Sequence, residues 1–225
     1  MEKGLLIFIL LGGLVFIIWG LPLVIGRRKL ICQDRQGTLM TFDDGPSEVT
    51  DQLLDVLRAC HGQACFFLLG EEMVKRRETL KRIQEEGHGI GLHGYSHKHP
   101  LKMTYWEQKK DLERAYQIFK QEGICPSYYR PPHGAYTWAS LVFCKKHGLK
   151  IVHWTGLVGD WELEEEKTLL DRLVKLSGPG HVLVLHDGTK GKANPLSKFL
   201  VPQLVKDLYR ELAASPAPLE GWKGL

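Results

Sequence analysis

The 225-residue sequence predicts an α/β fold of parallel strands and helices that follows one N-terminal membrane helix. Three observations support this prediction. The chain opens with a long uncharged apolar stretch, short β-like runs alternate with helical patterns after it, and polar residues of catalytic type stand where the strands end. Repeated strand–helix units favour parallel strands with helical crossovers, arranged either as a barrel or as an open doubly wound sheet.

The apolar stretch runs from Gly4 to Ile25 without a charged side chain. As a helix it would be about 33 Å long, enough for a bilayer core of roughly 30 Å. A cleaved signal peptide is the alternative, but the first alanine is Ala59, so no A-x-A cleavage site follows the stretch. We therefore expect residues 1–26 to be an uncleaved membrane anchor and residues 27–37 to be a short basic tether.

The remaining pattern divides residues 38–212 into about six strand–helix units and leaves residues 213–225 as a C-terminal tail. The predicted strands are 38–42, 64–69, 89–92, 127–129, 150–154 and 181–185. The predicted helices are 49–60, 71–86, 105–121, 138–146, 167–176 and 200–212. Thr104 with Glu107 predicts a capping box, and Ser47 and Thr137 are candidate N-caps.

Composition narrows the classes of function. The net charge is +4, and the 30 basic residues are spread along the chain without a long basic run, so we expect no nucleic-acid partner. The five cysteines form an odd set without a CxxC spacing. Such a set is typical of reduced, packed thiols rather than of a disulfide framework or a zinc ribbon.

Polar residues at the predicted strand ends supply the chemistry, because α/β folds place their sites at the carboxyl ends of the strands. Asp43 and Asp44 end the first strand, so one carboxylate can bind a metal while the other stays free as a base. His93 and His97 follow the third strand at a spacing that divalent metal ligands use. With Asp44 they would form a two-histidine, one-carboxylate site with open positions for a hydrolytic water.

Two further strand ends complete the set. Arg130, in the segment RPPHG, is placed to hold Asp43 by a bidentate pair, and His186 is suited to act as a general acid. Taken singly, each motif has a structural alternative: a plain turn, surface histidines, a structural salt bridge or a capping histidine. Their combination favours a hydrolytic site.

The ordered set of motifs resembles a known family. TFDDGP, HxxxH, RPPxG, the pair Asp160-Trp161 and LHD are similar, in this order, to the five motifs of the polysaccharide deacetylases. These are proteins with the NodB-homology domain, carbohydrate esterase family 4. The resemblance covers roughly residues 38–212 and implies a distorted (β/α) barrel, often with seven strands. It also implies metal-dependent removal of N-acetyl groups from amino-sugar polymers.

The resemblance implies a role for each matched residue. The metal ligands would be Asp44, His93 and His97. The catalytic base, the residue that orients it and the catalytic acid would be Asp43, Arg130 and His186. The substrate and oxyanion pocket would include the backbone N–H of His133, the Leu185 side chain as a wall for the acetyl methyl group, and Trp161.

The chain departs from the family's pattern at three positions. Gly94 stands where a Ser or Thr usually follows the first metal histidine, and His133 stands where a Tyr is commonest. Leu157 stands where an Asp commonly braces the acid. Loss of that carboxylate should lower the pKa of His186 unless Asp160 or Asp187 replaces it.

The sequence thus predicts a metal-dependent hydrolase of N-acetylglucosamine glycans such as peptidoglycan or chitooligosaccharides. We expect the site to bind one divalent ion; Zn²⁺ is the preferred candidate, and Co²⁺, Ni²⁺ and Mn²⁺ are the alternatives. A deacylase of a small or lipid-linked amino sugar and a catalytically silent carbohydrate-binding protein on the same fold are the alternative functions. The basic residues 27–29 alone favour a cytoplasmic domain, whereas the family mostly acts outside, and we expect the extracytoplasmic orientation.

Overall fold

In a computed structural model of the protein, the chain begins with a long apolar helix, and the α/β domain follows it in sequence. The structure describes residues 2–28, 37–190 and 193–213. Helix α1 (Glu2–Val15) continues through a π-helical turn (Phe16–Gly20) into α2 (Leu21–Arg28). Within the described residues, Ile7–Arg27 is the stretch long and apolar enough to cross a membrane, with a mean hydropathy of 2.6. Most of the predicted tether (29–36) and of the predicted tail (214–225) lies outside the described residues.

Within residues 37–190 and 193–213, seven parallel strands form a curled, half-barrel sheet. They are β1 (Leu39–Asp43), β2 (Cys65–Leu68), β3 (Gly89–Leu92), β4 (Tyr128–Tyr129), β5 (Lys150–Ile151), β6 (Gly156–Leu157) and β7 (Val182–His186). Their order is β5-β4-β3-β2-β1-β7-β6, so the sheet is open between β5 and β6, and β1 lies near its middle. This arrangement confirms the predicted distorted (β/α) barrel.

Helices cover the outside of the sheet. They are α3 (Thr50–Ala59), α4 (Gly70–Lys75), α5 (Arg77–Glu85), α6 (Tyr105–Gln121), α7 (Trp138–His147), α8 (Glu166–Leu176) and α9 (Val201–Leu212). Helix α9 buries an apolar stripe that includes Val201, Leu204, Val205, Leu208 and Leu212. The central strands β1 and β2 are buried along their whole length, as parallel strands covered on both faces require.

Two of the three N-cap residues predicted from the sequence cap their helices in the structure. Thr104 and Thr137 both close capping boxes, at the starts of α6 and α7. Gly148 ends α7 in the left-handed conformation with φ 68°. Ser47 is not the N-cap, because α3 begins after Val49 without a side-chain cap; the Ser47 hydroxyl donates to the carbonyl oxygen of Asp187 and accepts from the backbone N–H of Val49 at 3.3 Å.

Two elements differ from the sequence prediction. The single helix predicted over 71–86 is interrupted at Arg76, whose φ of −133° and ψ of 57° lie outside the helical region. The strand predicted over 150–154 ends at Ile151, and the two-residue strand β6 follows it. A strand of two residues has no periodicity to detect, so the sequence did not indicate it.

The second half of the N-terminal helix contacts the domain beside α7. The indole Nε1 of Trp138 donates to the carbonyl oxygen of Ile17 at 3.0 Å. Gly26 lies so close to Tyr136 that an added Cβ would be 2.1 Å from its ring. Leu23 packs against the domain core.

Candidate active site

The carboxyl ends of the strands surround a groove of about 820 Å³. The groove contains candidate residues from the ends of β1 and β7 and from the loops after β3 and β4. Those predicted from the sequence that line it are Asp43, Asp44, His93, His97, His133, Trp161 and His186. One face of the barrel therefore brings together residues far apart in the chain.

Three ligand-type atoms converge at the centre of the groove. Oδ1 of Asp44 lies 3.0 Å from Nε2 of His97 and 3.3 Å from Nε2 of His93. A tetrahedral ion bound to such atoms at about 2.1 Å would hold them about 3.4 Å apart, so the spacing fits a divalent metal. Oδ1 of Asp44 is buried and has no hydrogen-bond partner among the described residues, which leaves it free for such an ion.

The local backbone aims these ligands. Asp44 and His97 are non-glycine residues with positive φ, 76° and 52°. The carboxylate of Asp111 holds the loop between the two histidines by accepting from Tyr95 N at 2.8 Å and from Ser96 Oγ at 2.7 Å. Gly94 has a φ of 100°, so glycine at this departure from the family's pattern suits the conformation.

The tautomer of His93 is set by a backbone carbonyl. Nδ1 of His93 lies 2.8 Å from the carbonyl oxygen of Arg130. A carbonyl can only accept, so Nδ1 donates this bond and Nε2 is the nitrogen that faces Asp44. A histidine that ligates a metal through one nitrogen commonly donates its other ring N–H to a carbonyl in this way.

Asp43 is paired with a fully buried arginine. Nη1 of Arg130 donates to Oδ1 of Asp43 at 2.7 Å and to Thr41 Oγ1 at 2.8 Å, and Nε donates to the carbonyl of Val152 at 3.2 Å. The predicted bidentate pair is wrong, because the second donor bonds elsewhere: Nε turns to Val152, and Nη2 has no partner among the described residues. This geometry still fixes the carboxylate of Asp43 beside the candidate metal ligands Asp44, His93 and His97, called the metal-type cluster below. Its Oδ2 lies 4.0 Å from Nε2 of His93.

His186 is braced by Asp160. The two carboxylate oxygens of Asp160 contact Nδ1 of His186 at 3.0 Å and its backbone N–H at 2.6 Å. Burial lowers the pKa of His186, but Asp160, with smaller contributions from Asp44 and Asp43, outweighs burial and raises it to about 10. The edge of the Trp161 ring packs on the imidazole at 5.6 Å between centroids. A carboxylate thus contacts the acid-type histidine although Leu157 occupies the position where one was expected.

Asp187, the other candidate for this brace, turns away from His186. Its Oδ2 accepts from Thr50 Oγ1 at 2.6 Å. The same oxygen would lie 2.1 Å from a Cβ on Gly45, so Asp187 supports the turn that follows Asp44. Burial raises the pKa of Asp187 to about 7.

The structure contradicts the expected position of Leu185. Leu185 is fully buried in the core cluster, whereas Val184 and His186 line the groove. Side chains alternate between the two faces of a strand, so a residue next to His186 cannot share its face. Val184, two residues before His186, is the apolar wall residue.

His133 lies on the groove wall in the 3₁₀ turn Pro132–Gly134, with a φ of 57°. Its ring packs on those of His97 and His99, with both centroid distances at 4.6 Å. Burial, together with the neighbouring histidines, lowers the pKa of His133 to about 4. A neutral ring here covers one side of the metal-type cluster.

Sequence reasoning missed several residues of the site. Trp154 contacts Gly134 so closely that an added Cβ would be 2.5 Å from its ring, and Thr41 shares Arg130 with Asp43. The position of Thr41, two residues before Asp43 on the same strand face, is a signal that could have indicated it. Met103 and Trp154 reach the groove from loops, for which the sequence offers no such signal.

Comparison with known proteins gives consistent matches. A family model described as polysaccharide deacetylase matches residues 31–152, more than half of the chain. The chain is 34% identical over 171 residues to a peptidoglycan-N-acetylglucosamine deacetylase of Bacillus cereus, covering 73% of this chain but 62% of that relative's length. It is 28% identical over 213 residues to a chitooligosaccharide deacetylase of Azorhizobium caulinodans, covering 87% of this chain and 99% of the relative. The crystal structure of a peptidoglycan N-acetylglucosamine deacetylase is similar with a TM-score of 0.75 and 28% identity, over 84% of this chain and 87% of the other.

Proposed function

Because the chain belongs to the polysaccharide deacetylase family, we propose that it is a metal-dependent hydrolase that removes N-acetyl groups from amino-sugar glycans. The observation that carries the proposal is the grouping of Asp44, His93 and His97 between a buried Asp43–Arg130 pair and a His186–Asp160 pair. The candidate metal ligands, the candidate base Asp43 and the candidate acid His186 therefore all line one groove.

The donor set fits a divalent cation, for which we propose Zn²⁺. Two imidazole nitrogens and a carboxylate oxygen are ligands that Zn²⁺ accepts in hydrolytic sites, with further positions left open. A bound cation would supply Lewis acidity: it would polarise the acetyl carbonyl and lower the pKa of a coordinated water.

Asp43 acts as the general base. Arg130 fixes Oδ1, and Oδ2 lies 4.0 Å from Nε2 of His93, beside the three candidate metal ligands. In this position Asp43 accepts the proton of the attacking water. The backbone N–H of His133 would stabilise the oxyanion of the tetrahedral intermediate.

His186 acts as the general acid. Asp160 holds Nδ1, so Nε2 is the nitrogen that delivers a proton to the departing sugar amine. The raised pKa keeps the imidazole protonated at neutral pH, as an acid requires. Trp161 limits the movement of the ring from one side, and Val184 lines the floor where the acetyl methyl group fits.

Acetate release from N-acetylated glycans with added Zn²⁺ tests the activity. Asp43→Asn should lower kcat by roughly 10²- to 10⁴-fold, the typical contribution of a general base, while the protein binds metal at the wild-type stoichiometry. Normal turnover in this variant would reject the assignment of the base. Sugar binding without any acetate release by the wild-type protein would instead favour a catalytically silent carbohydrate-binding protein.

We also propose that the N-terminal helix anchors the protein in a membrane with the domain outside the cell. Apolar side chains from Ile7 to Ile18 are 44–74% exposed, which is unfavourable in water. Peptidoglycan, named as the target of a similar protein, lies outside the cytoplasm. A reporter that is active only outside the cytoplasm should be active when it is fused to the C-terminus. Activity of a cytoplasm-specific reporter at the same position would show that the domain lies in the cytoplasm and would contradict the proposed orientation.

A further inference from the structure

We propose that the catalytic groove continues into an anion-binding subsite at Lys98 and Lys102, which takes a negatively charged group carried next to the reacting amino sugar. The inference rests on the proposed function and names its class of substrate: an anionic glycan rather than a neutral one.

The position of the two lysines supports this. A second cavity of about 540 Å³ borders the groove, and both cavities are lined by Lys98, Lys102 and Met103. Lys98 directly follows the metal-ligand candidate His97, and Lys102 ends the 3₁₀ turn Pro100–Lys102. A group bound between the lysines would therefore lie beside the reacting centre.

The charge of the second cavity is not balanced. Its cations are Lys98, Lys102, Lys110 and Arg114, and its acids are Glu107 and Asp111. Both acids are already engaged. Glu107 accepts from Thr104 N at 2.7 Å and Oγ1 at 2.8 Å in the capping box, and Asp111 holds the loop between the two metal-type histidines.

Neither of the two lysines that face the groove forms a salt bridge with a described residue, although the charge of Lys98 helps to lower the pKa of Glu107; both lysines are exposed. The third lysine of the groove behaves differently: Lys190 pairs with Glu71 at 2.9 Å and with Glu72 at 2.5 Å. Glu162 and the exposed Leu157 also line the groove; they lie in and after β6, four positions from β3 in the strand order of the sheet. The groove thus has one cationic end, which would favour one orientation of an anionic ligand.

Two kinds of glycan place an anion next to an N-acetylated amino sugar. Where the stem peptide has been removed from peptidoglycan, the neighbouring muramic acid carries a free lactyl carboxylate, and in a lipid-linked precursor a diphosphate is attached to the sugar. Chitooligosaccharides carry neither. The shared chemistry is an oxyanion within reach of two ammonium groups, and the experiment distinguishes its sources.

The test compares wild-type protein with Lys98→Gln/Lys102→Gln, using the full chain in detergent with Zn²⁺. The matched control is Lys109→Gln, because Lys109 is an exposed lysine that packs over Trp106 at 5.3 Å and lies outside both cavities. The substrates are chitopentaose, a stem-free tetrasaccharide of N-acetylglucosamine and N-acetylmuramic acid, the same tetrasaccharide with its carboxylates reduced to alcohols, and UDP-N-acetylglucosamine as the diphosphate probe.

We expect the double variant to lose roughly tenfold in kcat/KM on the anionic substrate that the wild type prefers, since each exposed charge contact contributes a few-fold. Activity on chitopentaose and on the reduced tetrasaccharide should stay within about twofold, and Lys109→Gln should match the wild type on all four. A loss confined to the tetrasaccharide identifies the carboxylate, and a loss confined to the nucleotide sugar identifies the diphosphate. An equal loss on charged and neutral substrates, or no loss, would overturn the inference.

A binding measurement separates this inference from the proposed function. If the wild type releases acetate from none of the substrates, the proposed function fails. Titration calorimetry then still tests the subsite: the double variant should bind the charged tetrasaccharide about tenfold more weakly and the reduced one unchanged. Equal affinities of the double variant and the wild type for the charged tetrasaccharide would reject it.

Discussion

Replacing Asp160 with asparagine should move the alkaline limb of the pH profile of kcat/KM to lower pH. The carboxylate lies 3.0 Å from Nδ1 of His186, and asparagine removes the charge while it keeps one of the two acceptor oxygens that contact Nδ1 and the backbone N–H. At an effective dielectric constant of about 20, a unit charge at this distance contributes at most about 5.5 kcal/mol, or about 4 pKa units. Opposite charges commonly shift a pKa by about 1–3 units, so we expect a downward shift in that range.

The sign follows from the role of His186 as an acid, which must be protonated. In the wild type the pKa is raised to about 10, so activity should persist into alkaline solution. A bound cation lowers the pKa of His186 in both enzymes, so the difference between them is the measured quantity. Acetate release between pH 5 and 11 gives both profiles.

Asp187→Asn is the matched control for this experiment. Asp187 is adjacent to His186 in sequence, but its carboxylate accepts from Thr50. Its alkaline limb should therefore coincide with that of the wild type. An unshifted limb in Asp160→Asn, or an equal shift in Asp187→Asn, would refute the assignment of Asp160 as the brace.

Three further predictions follow from buried groups. Arg130→Met leaves the carboxylate of Asp43 buried without its cation and should lower the free energy of unfolding by about 3–5 kcal/mol in urea titrations; an unchanged midpoint would contradict the buried pair. Leu185→Ala should cost about 2–5 kcal/mol of stability with KM unchanged, whereas Val184→Ala should raise KM, and the reverse pattern would restore Leu185 to the groove wall. The pKa of Asp187 is raised from 3.8 to about 7, so the folded metal-free protein retains a proton that the unfolded chain loses in this window, and stability falls as pH rises through it. Asp187→Asn should flatten that decline in the melting temperature, and an unaltered slope would exclude Asp187 as its source.

The sequence was informative where a feature depends on a strand's end. Asp43, Asp44 and His186 end strands β1 and β7, and parallel pairing of these strands places Asp43 opposite His186. Alternating strands and helices were enough to predict this shared face. The fold class and the grouping of the main site residues could therefore be predicted before any coordinates.

Other features depend on packing that no local pattern encodes. The side chain of Asp160 reaches His186 because the loop after β6 returns to β7, and Lys98, Lys102 and Trp154 enter the groove from loops. The position of Leu185 is different, because the two-residue alternation of a strand turns it away from the face that carries Val184 and His186.

The central claim is that Asp44, His93 and His97 bind one divalent ion, and X-ray absorption at the zinc edge of the Zn²⁺-loaded protein tests it most directly. We predict one ion per chain, with two imidazole nitrogens and carboxylate or water oxygens at about 2.0–2.2 Å. His93→Ala should remove one imidazole from that shell. A wild-type protein that binds no stoichiometric ion after chelation and reloading, or an ion without imidazole ligands, would contradict the account.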